Sequence, residues 1–318
     1  MVLKTCLYLG SFAVTYTLIL TQSVPAWSLL GLCFFLGLLT TGIGFNIGHD
    51  AIHGAYSEKP LWNKILGYSF VLLGADVHNW KVLHNIIHHS YTNIPEADGD
   101  LHPVPFLRFS PGTPKKKMHK YQHYYALFLY GLTSLMWVFK KDYVHIRKKQ
   151  HLIYKKRPAT SHQYRELVFF KVAYYFAFLI LPLAVLPFAW WQILLGFFVM
   201  HLAAGFTLAI VFQLGHIVEG PEFPSIPADR LLKDIWLTHQ LRTASNFATN
   251  SRVGDWLYGG LNFQIEHHLF PGICHVHYRA IAPIVRATAV EFDLPYYEQK
   301  TFFSAVKSHL RLLKSLGS

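Results

Sequence analysis

Two stretches of this 318-residue chain contain no Asp, Glu, Lys or Arg: Thr5 to His49 and Val172 to Val218. A bilayer span needs about 20 predominantly apolar residues, so each stretch is long enough for two spans joined by a tight hairpin. Only 14% of the residues are charged, against roughly 25% in soluble domains, and the deficit is concentrated in these stretches. Pro25 interrupts the first; Pro182 and Pro187 interrupt the second, ahead of Trp190 and Trp191. Proline and interfacial tryptophan mark the ends of spans. The expected fold is an all-α integral membrane protein, one domain over 1–318. Four transmembrane helices lie near 5–22, 27–50, 168–187 and 190–216, in two hairpins, with helical polar blocks at about 51–167 and 217–318.

The basic residues orient this arrangement. All 29 Lys and Arg lie outside the two hairpin turns. Positive loops stay cytoplasmic, so both termini and both polar blocks are expected on the cytoplasmic side of a bacterial inner membrane or the endoplasmic reticulum. The first apolar run leads directly into a second span, unlike a cleavable signal peptide. The net charge of +12 is carried by clusters such as Lys115-Lys116-Lys117, Arg147-Lys148-Lys149 and Lys155-Lys156-Arg157. These suit anionic lipid headgroups or docking of an acidic electron-donor protein or a phosphorylated substrate carrier. A chain half buried in lipid does not suit nucleic acid. Cys6, Cys33 and Cys274 form no CxxC pair, which argues against a disulfide framework or a zinc ribbon.

Seven histidines fall in three clusters: His49 and His53; His84, His88 and His89; His267 and His268, preceded by Gln264. His49 and His53 are four apart, which puts both imidazoles on one helical face, where the second span enters the cytoplasm. His84 and His88 repeat the spacing, with His89 about 100° round the helix. Imidazole suits iron, zinc, copper and nickel. Seven imidazoles with no ligating Cys exceed the four ligands of one tetrahedral zinc and suit two metal ions. His216, ending the fourth span at the depth of His49, is an eighth candidate. His201 lies 15 residues earlier on the same helix, about 22 Å deeper at 1.5 Å per residue, and is expected to hydrogen-bond to a neighbouring helix.

Metal-bound imidazoles donate their second N–H to a carboxylate or carbonyl. Asp50, Glu96, Asp98, Asp100 and Glu266 are near enough in sequence to serve. Glu266 points about 100° away from His267 on a helix and is expected behind the ligands. Gln264 binds the metal weakly, holds a water or packs; the water-holding role is favoured. Pro271-Gly272 breaks the helix after the third cluster, so His275 and His277 lose register with it and, with His78, are expected to be supporting or structural residues.

Parity constrains one ambiguous segment. Tyr124 to Phe139 is apolar but only 16 residues long. If it crossed, the second and third clusters would face opposite sides of the membrane, so it is read as interfacial or re-entrant. Leu66 to Leu73 is too short to cross. At the C terminus, Phe303, Val306, Leu310 and Leu313 share a helical face opposite Lys307, Arg311 and Lys314. This pattern fits a basic helix on the membrane or a packed helix of the cap.

The clusters, HxxxH, HxxxHH and QxxHH, resemble those of the membrane fatty acid desaturases. Further likeness lies in Gly48-His49-Asp50, Tyr91-Thr92-Asn93, Asn246-Phe247-Ala248-Thr249, Gly259-Gly260-Leu261-Asn262 and His268-Leu269-Phe270-Pro271 through His275-Val276-His277-Tyr278. The Gln of the third cluster resembles the front-end subgroup, which acts between an existing double bond and the carboxyl end, as in delta-6 acyl-lipid or linoleoyl-CoA desaturases. The resemblance implies a di-iron centre on His49, His53, His84, His88, His89, His267 and His268, with His216 added. It implies O2 as co-substrate, an acyl-lipid or acyl-CoA substrate in an apolar tunnel, and a cis double bond as product. No His-Pro-Gly-Gly haem motif occurs, and His102-Pro103-Val104 is not one, so the expected donor is a separate ferredoxin, or cytochrome b5 with its reductase. A hydroxylase of the same superfamily, acting on fatty acids, alkanes or carotenoids, needs the same clusters. A metal transporter would place its ligands near the bilayer midplane, where only His201 lies. A zinc hydrolase is the third rival.

Overall fold

The computed structural model describes residues 1–101, 105–148, 150–151, 154–155, 158–226 and 235–318, without the side chains of 150, 151, 154 and 155. His102-Pro103-Val104, Lys149, Lys156 and Arg157 lie outside the described residues.

Among the described residues four helices are long and apolar enough to cross a membrane: Val2–Thr21, Ala26–His53, Ser161–Val185 and Trp190–His216. The second and third extend beyond the apolar stretches because helix geometry outlasts apolarity. The second runs past Asp50 and stops where Gly54 takes a left-handed φ of 76°, a conformation glycine adopts without strain. The third begins in polar sequence, where Thr160 and Gln163 form a capping box. Pro25 starts the second span after a left-handed Gln22 ends the first. The described residues are otherwise nearly free of sheet. Its described strands are a two-residue antiparallel pair, Gln150–His151 with Tyr154–Lys155, and a parallel pair, Ser245–Phe247 with Tyr297–Gln299.

The second and fourth spans pack on each other, and Thr41 Oγ1 donates to Ala204 O across the contact at 3.2 Å. Half of the second span's apolar window and 61% of the fourth's are buried, against 28% and 22% for the first and third. The inner pair therefore carries His49, His53 and His216 at its ends, while the outer pair presents Val14, Phe169, Val172 and Phe176 outward. His201 lies deep in the fourth span. Ser134 Oγ is 2.8 Å from its Nδ1 and Tyr174 Oη 3.0 Å from its Nε2, the neighbouring-helix role expected for it.

Residues 122–147 form two helices, Gln122–Gly131 and one that begins at Thr133–Met136 and runs on through a π-helical stretch to Arg147; Gln122–Gly131 and Thr133–Met136 lie against the fourth span. The break at Leu132 leaves neither long enough to cross. The C-terminal helix, Phe302–Gly317, packs on the first of these and on the fourth span. Of the expected stripe Phe303 turns outward, 82% exposed, while Leu313 is buried and Val306 and Leu310 pack against the core; Ala305, Ser308, His309 and Leu316 complete the buried face. Polar bonds turn this face inward, with Ser308 Oγ accepting from Glu219 N at 2.9 Å and His309 bridging Tyr130 Oη and Ile217 O at 2.7 and 2.5 Å.

A buried ion pair orders the cap near the second cluster. Lys171 Nζ lies 2.9 Å from Asp142 Oδ2 and donates to Gly74 O and Trp137 O. Asp142 in turn accepts from Asp76 N and from the Asn79 amide, and Asp76 caps Asn79 N, fixing the start of the helix that carries His84. We predict that Lys171→Met, which strands a buried carboxylate, lowers stability by about 3–5 kcal/mol. Unfolding in detergent measures this; an unchanged transition would refute the ordering role.

Candidate metal centre

The first two histidine clusters adjoin or occupy a stretch where the backbone departs from an ordinary α-helix. The second span widens into a π-turn at Gly44–Gly48 before His49–His53. The second cluster lies on a π-helical segment, Lys81–His88, that returns to α at His89–Tyr91. Such widened turns recur at functional sites. The third cluster occupies the short helix Gln264–Leu269. It follows a turn in which Gly259 and Gly260 take φ of 62° and 68°, and a Cβ at Gly259 would sit 2.4 Å from Phe45 O. Only glycine fits there, and its absent side chain lets the third cluster close onto the widened turn of the second span.

The eight histidines converge from these three clusters and the end of the fourth span. His49, His53, His84 and His267 form one group, and His88, His216 and His268 a second; His89 joins His267 and His268 between them. Within each group the potential ligand atoms lie within 4.8 Å of one another. The HxxxH spacing behaves differently in the two clusters that carry it. His49 and His53 enter the same group, whereas His84 and His88, also four apart with rings stacked 5.4 Å apart, enter different groups.

The hydrogen bonds at the backs of the rings identify what the fronts carry. His216 Nδ1 donates to Thr243 O at 3.1 Å, and His268 Nδ1 donates to Gln240 Oε1 at 2.8 Å. Carbonyl oxygens only accept, so both protons sit on Nδ1. Both Nε2 atoms then present lone pairs to each other at 3.2 Å. His49 and His84 Nε2 approach to 3.1 Å, and His84 and His89 Nε2 to 3.4 Å. His53 Nε2, His267 Nε2 and His89 Nδ1 are buried without a hydrogen-bond partner. Facing acceptors in a dry interior repel, and unpaired buried polar atoms are costly. One or two cations of imidazole-preferring type resolve both problems, so the residues fit a metal centre.

The supporting residues divide. Asp98 Oδ2 is 3.0 Å from His88 Nδ1; Asp100, half exposed, is 4.0 Å from the same nitrogen and 3.6 Å from Lys141 Nζ. Asp50 turns away from His49 and accepts from His275 Nδ1 at 2.8 Å, from His275 N and from Cys274 Sγ. His275 Nε2 meets Lys4 Nζ at 3.0 Å, so this chain braces the N terminus against the segment after the third cluster. Glu266 does not back an imidazole, contrary to the sequence expectation. Its position on the short helix aims it at Asn246 Nδ2 and Tyr296 Oη, at 2.8 and 2.9 Å. Gln264 lies where a Cβ on Gly215 would come within 2.3 Å of its Cγ, beside His216, and its Nε2 is buried without a partner.

Sequence spacing gives no sign of Gln240 or Thr243, which belong to the helix Trp236–Thr243 far from any cluster. Gln240 is fully buried. Its oxygen also accepts from Thr92 Oγ1, and its nitrogen donates to His89 O. Asn93 sits in the Tyr91-Thr92-Asn93 motif, and its amide reaches the carbonyls of His216, Glu222 and Thr243.

A cavity of about 860 Å³ opens beside His53. It is walled by Ile52 and His53, by the helix Pro60–Gly67, by Val71, and by Leu167, Phe170 and Lys171 of the third span. Leu61, Trp62 and Ile65, on the far face of the Pro60–Gly67 helix, are exposed, as are Val168 and Phe169 of the third span.

Comparison with known proteins matches residues 25–300 to the fatty acid desaturase family. The sn-1 linoleoyl-lipid 6-desaturase of Arthrospira platensis is 33% identical over 317 residues, covering 100% of this chain and 86% of that protein. The enzyme of the same name from Synechocystis sp. is 34% identical over 290 residues, covering 91% and 80%. The acyl-lipid (8-3)-desaturase of Physcomitrium patens is 33% identical over 319 residues, covering 100% and 66%.

Burial holds the imidazoles of His84, His89, His267 and His268 well below the usual 6.5, and the charges of their neighbours add to the effect. For His88 burial acts downward too, but the Asp98 carboxylate, its hydrogen bond and Asp100 outweigh it and raise the pKa. A group with a depressed pKa stays neutral while the unfolded chain takes up protons, so its contribution is present above the unfolded pKa and lost as pH falls below it. His88 acts in the opposite sense, one group against four. We predict that the metal-free protein loses stability as pH falls below about 6.5, and that bound metal shifts the loss to lower pH. Melting temperatures between neutral and mildly acidic pH, with and without metal, check this; a flat profile would contradict it.

Proposed function

Because the chain belongs to the fatty acid desaturase family, we propose that its gathered imidazoles hold two iron ions and that it is a front-end desaturase of membrane acyl lipids. The chain is an oxidoreductase of desaturase type. The observation that carries the two-ion reading is the pair of imidazole groups gathered inside one buried site, in one of which the His216 and His268 lone pairs are turned to each other. The ligand set is His49, His53, His84, His88, His89, His216, His267 and His268. Asp98 backs one ligand, and Gln264 holds a water beside His216. Nothing favours zinc hydrolysis or metal transport over this reading: the imidazoles collect at the ends of the spans, and the one deep histidine is satisfied by Ser134 and Tyr174.

The reaction converts one –CH2–CH2– pair, one O2, two electrons and two protons into a cis –CH=CH– and two waters. Two irons at the site supply the oxidising power that takes hydrogen from an unactivated methylene, while the protein's share is positioning. The acyl chain enters the cavity beside His53 and lies along Ile52, Val71, Leu167 and Phe170, the apolar part of a wall that also carries Glu58, Lys64, Lys81 and Glu166. The cavity falls in the usual size range for ligand sites. Its walls are elements whose opposite faces are apolar and exposed, which suits a substrate that slides in from the bilayer. Relatives that act on acyl lipids, among them two linoleoyl-lipid 6-desaturases, support a lipid-bound acyl chain and a new double bond on the carboxyl side of an existing one.

By the positive-inside rule the clusters and both termini face the cytoplasm. There a separate donor supplies the electrons. The Lys117–Tyr121 turn packs on the end of the C-terminal helix, where Gly317 meets His119, so exposed Lys115, Lys116 and Lys117 lie at the end of a helix whose exposed face carries Lys307, Arg311 and Lys314. This basic surface suits an acidic redox protein.

Expression in a host fed defined fatty acids, with products located by mass spectrometry, tests the reading. We predict a polyunsaturated product whose new double bond lies toward the carboxyl end. Val71→Trp, which places a bulky ring in the path of the acyl chain, should cut conversion at least tenfold with iron content unchanged. A mainly hydroxylated product, or an unimpaired Val71→Trp, would overturn the reaction or the chain placement respectively. For the donor, reversing Lys115, Lys116 and Lys117 to Glu should raise its KM severalfold and leave kcat unchanged; an unaltered KM would exclude this surface.

A further inference from the structure

The two groups of imidazoles are not supported alike. In the group of His88, His216 and His268, every ring has its Nδ1 proton committed to a strong buried acceptor. These are the Asp98 carboxylate at 3.0 Å, the Thr243 carbonyl at 3.1 Å and the Gln240 side-chain oxygen at 2.8 Å. All three acceptor residues are buried. Gln240 cannot flip without loss, because its nitrogen faces His89 O and its oxygen faces both His268 and Thr92. In the group of His49, His53, His84 and His267 the only such contact among the described residues is His267 Nδ1 to Tyr278 Oη at 3.4 Å. His53 Nε2 and His267 Nε2 are buried and unpartnered.

We propose that the two ion positions are unequal: the position framed by His88, His216 and His268 is the tight one and fills first, and Gln240 and Asp98 are its positioning residues. This rests on the two-ion reading above. The physical cause is preorganisation. A ring whose back proton is held has one tautomer and one orientation, so its Nε2 lone pair is already aimed, and donation to a carboxylate or carbonyl makes that lone pair more basic. Loss of such a partner costs about 10- to 100-fold in metal affinity. Three partners against one long contact separate the positions by at least one such factor. The second position, framed by four rings with freer backs, gains its ligands' final geometry only as its ion arrives. It is the position nearer the cavity, since His53 belongs to it and lines that cavity.

The test titrates the chelator-stripped full chain in detergent with Co2+ as a spectroscopic probe, alongside anaerobic Fe2+ binding counted per protein. Two steps are expected, the first at least about tenfold tighter. Gln240→Leu removes an acceptor and should weaken the first step by about 10- to 100-fold while leaving the second in place. Gln240→Glu keeps the acceptor for His268 but loses the donor to His89 O, so it should bind the first ion more tightly than Gln240→Leu does, which a merely structural role would not require. Asp98→Asn should weaken the same step, and His53→Ala should remove only the second. Two ions bound with equal affinity, or Gln240→Leu weakening only the second step, would overturn the inequality and leave the two-ion reading standing. A folded wild-type protein that binds one ion or none would overturn both.

Discussion

Imidazole lone pairs brought face to face in a dry interior are the constraint on which the rest of this molecule depends. Without a cation, His216 and His268 present two acceptors to each other at 3.2 Å, and His49 and His84 meet at 3.1 Å. Such an arrangement must be held by something stronger than itself. The inner pair of spans supplies one side, with His49, His53 and His216 on rigid helix ends. The cap supplies the other, and the glycine turn at Gly259-Gly260 closes the gap between them. The site is thus assembled from residues up to 219 positions apart in the chain, from His49 to His268, none of which can collect a metal alone.

Much of this was legible in the sequence, and the legible part has a common cause. Absence of charge reports the membrane directly, so the four long helices follow from where Asp, Glu, Lys and Arg do not occur. The histidine clusters were equally plain, since imidazole rarely gathers by chance beside apolar spans. Depth along a helix separated His216 from His201, because rise per residue is fixed. The buried supports were not legible. Gln240 and Thr243 act from a short helix with no periodic signal, and the contribution of Thr243 is a backbone carbonyl that no residue type announces. Glu266 and Asp50 sit next to cluster histidines in sequence yet face elsewhere, towards Tyr296 and His275. Adjacency in the chain says little about which way a side chain points. For the C-terminal helix the sequence left a membrane face and a packed cap helix open; the helix packs, with Leu313 in the core and Ser308 and His309 bonded on the same buried face.

The first and third spans, although long and apolar, are not idle lipid anchors. Lys171 of the third span orders the start of the second cluster through Asp142. Lys4 of the first reaches His275 behind the third. Each outer helix thereby holds one part of the cap by a buried amine, which fixes orientation where apolar packing alone would permit sliding.

Under the proposed reading, the division of His84 and His88 between the two groups has a mechanical consequence. These two rings stand on one helical turn and reach towards different ions, so the gap between the ions is gauged by a single piece of backbone. Movement of the spans against the cap, as when a lipid enters or leaves, can alter how other rings approach, but it cannot spread the ions apart without unwinding Lys81–His88. That segment acts as a ruler internal to the site. The extra width of its turn sets the ruler's length.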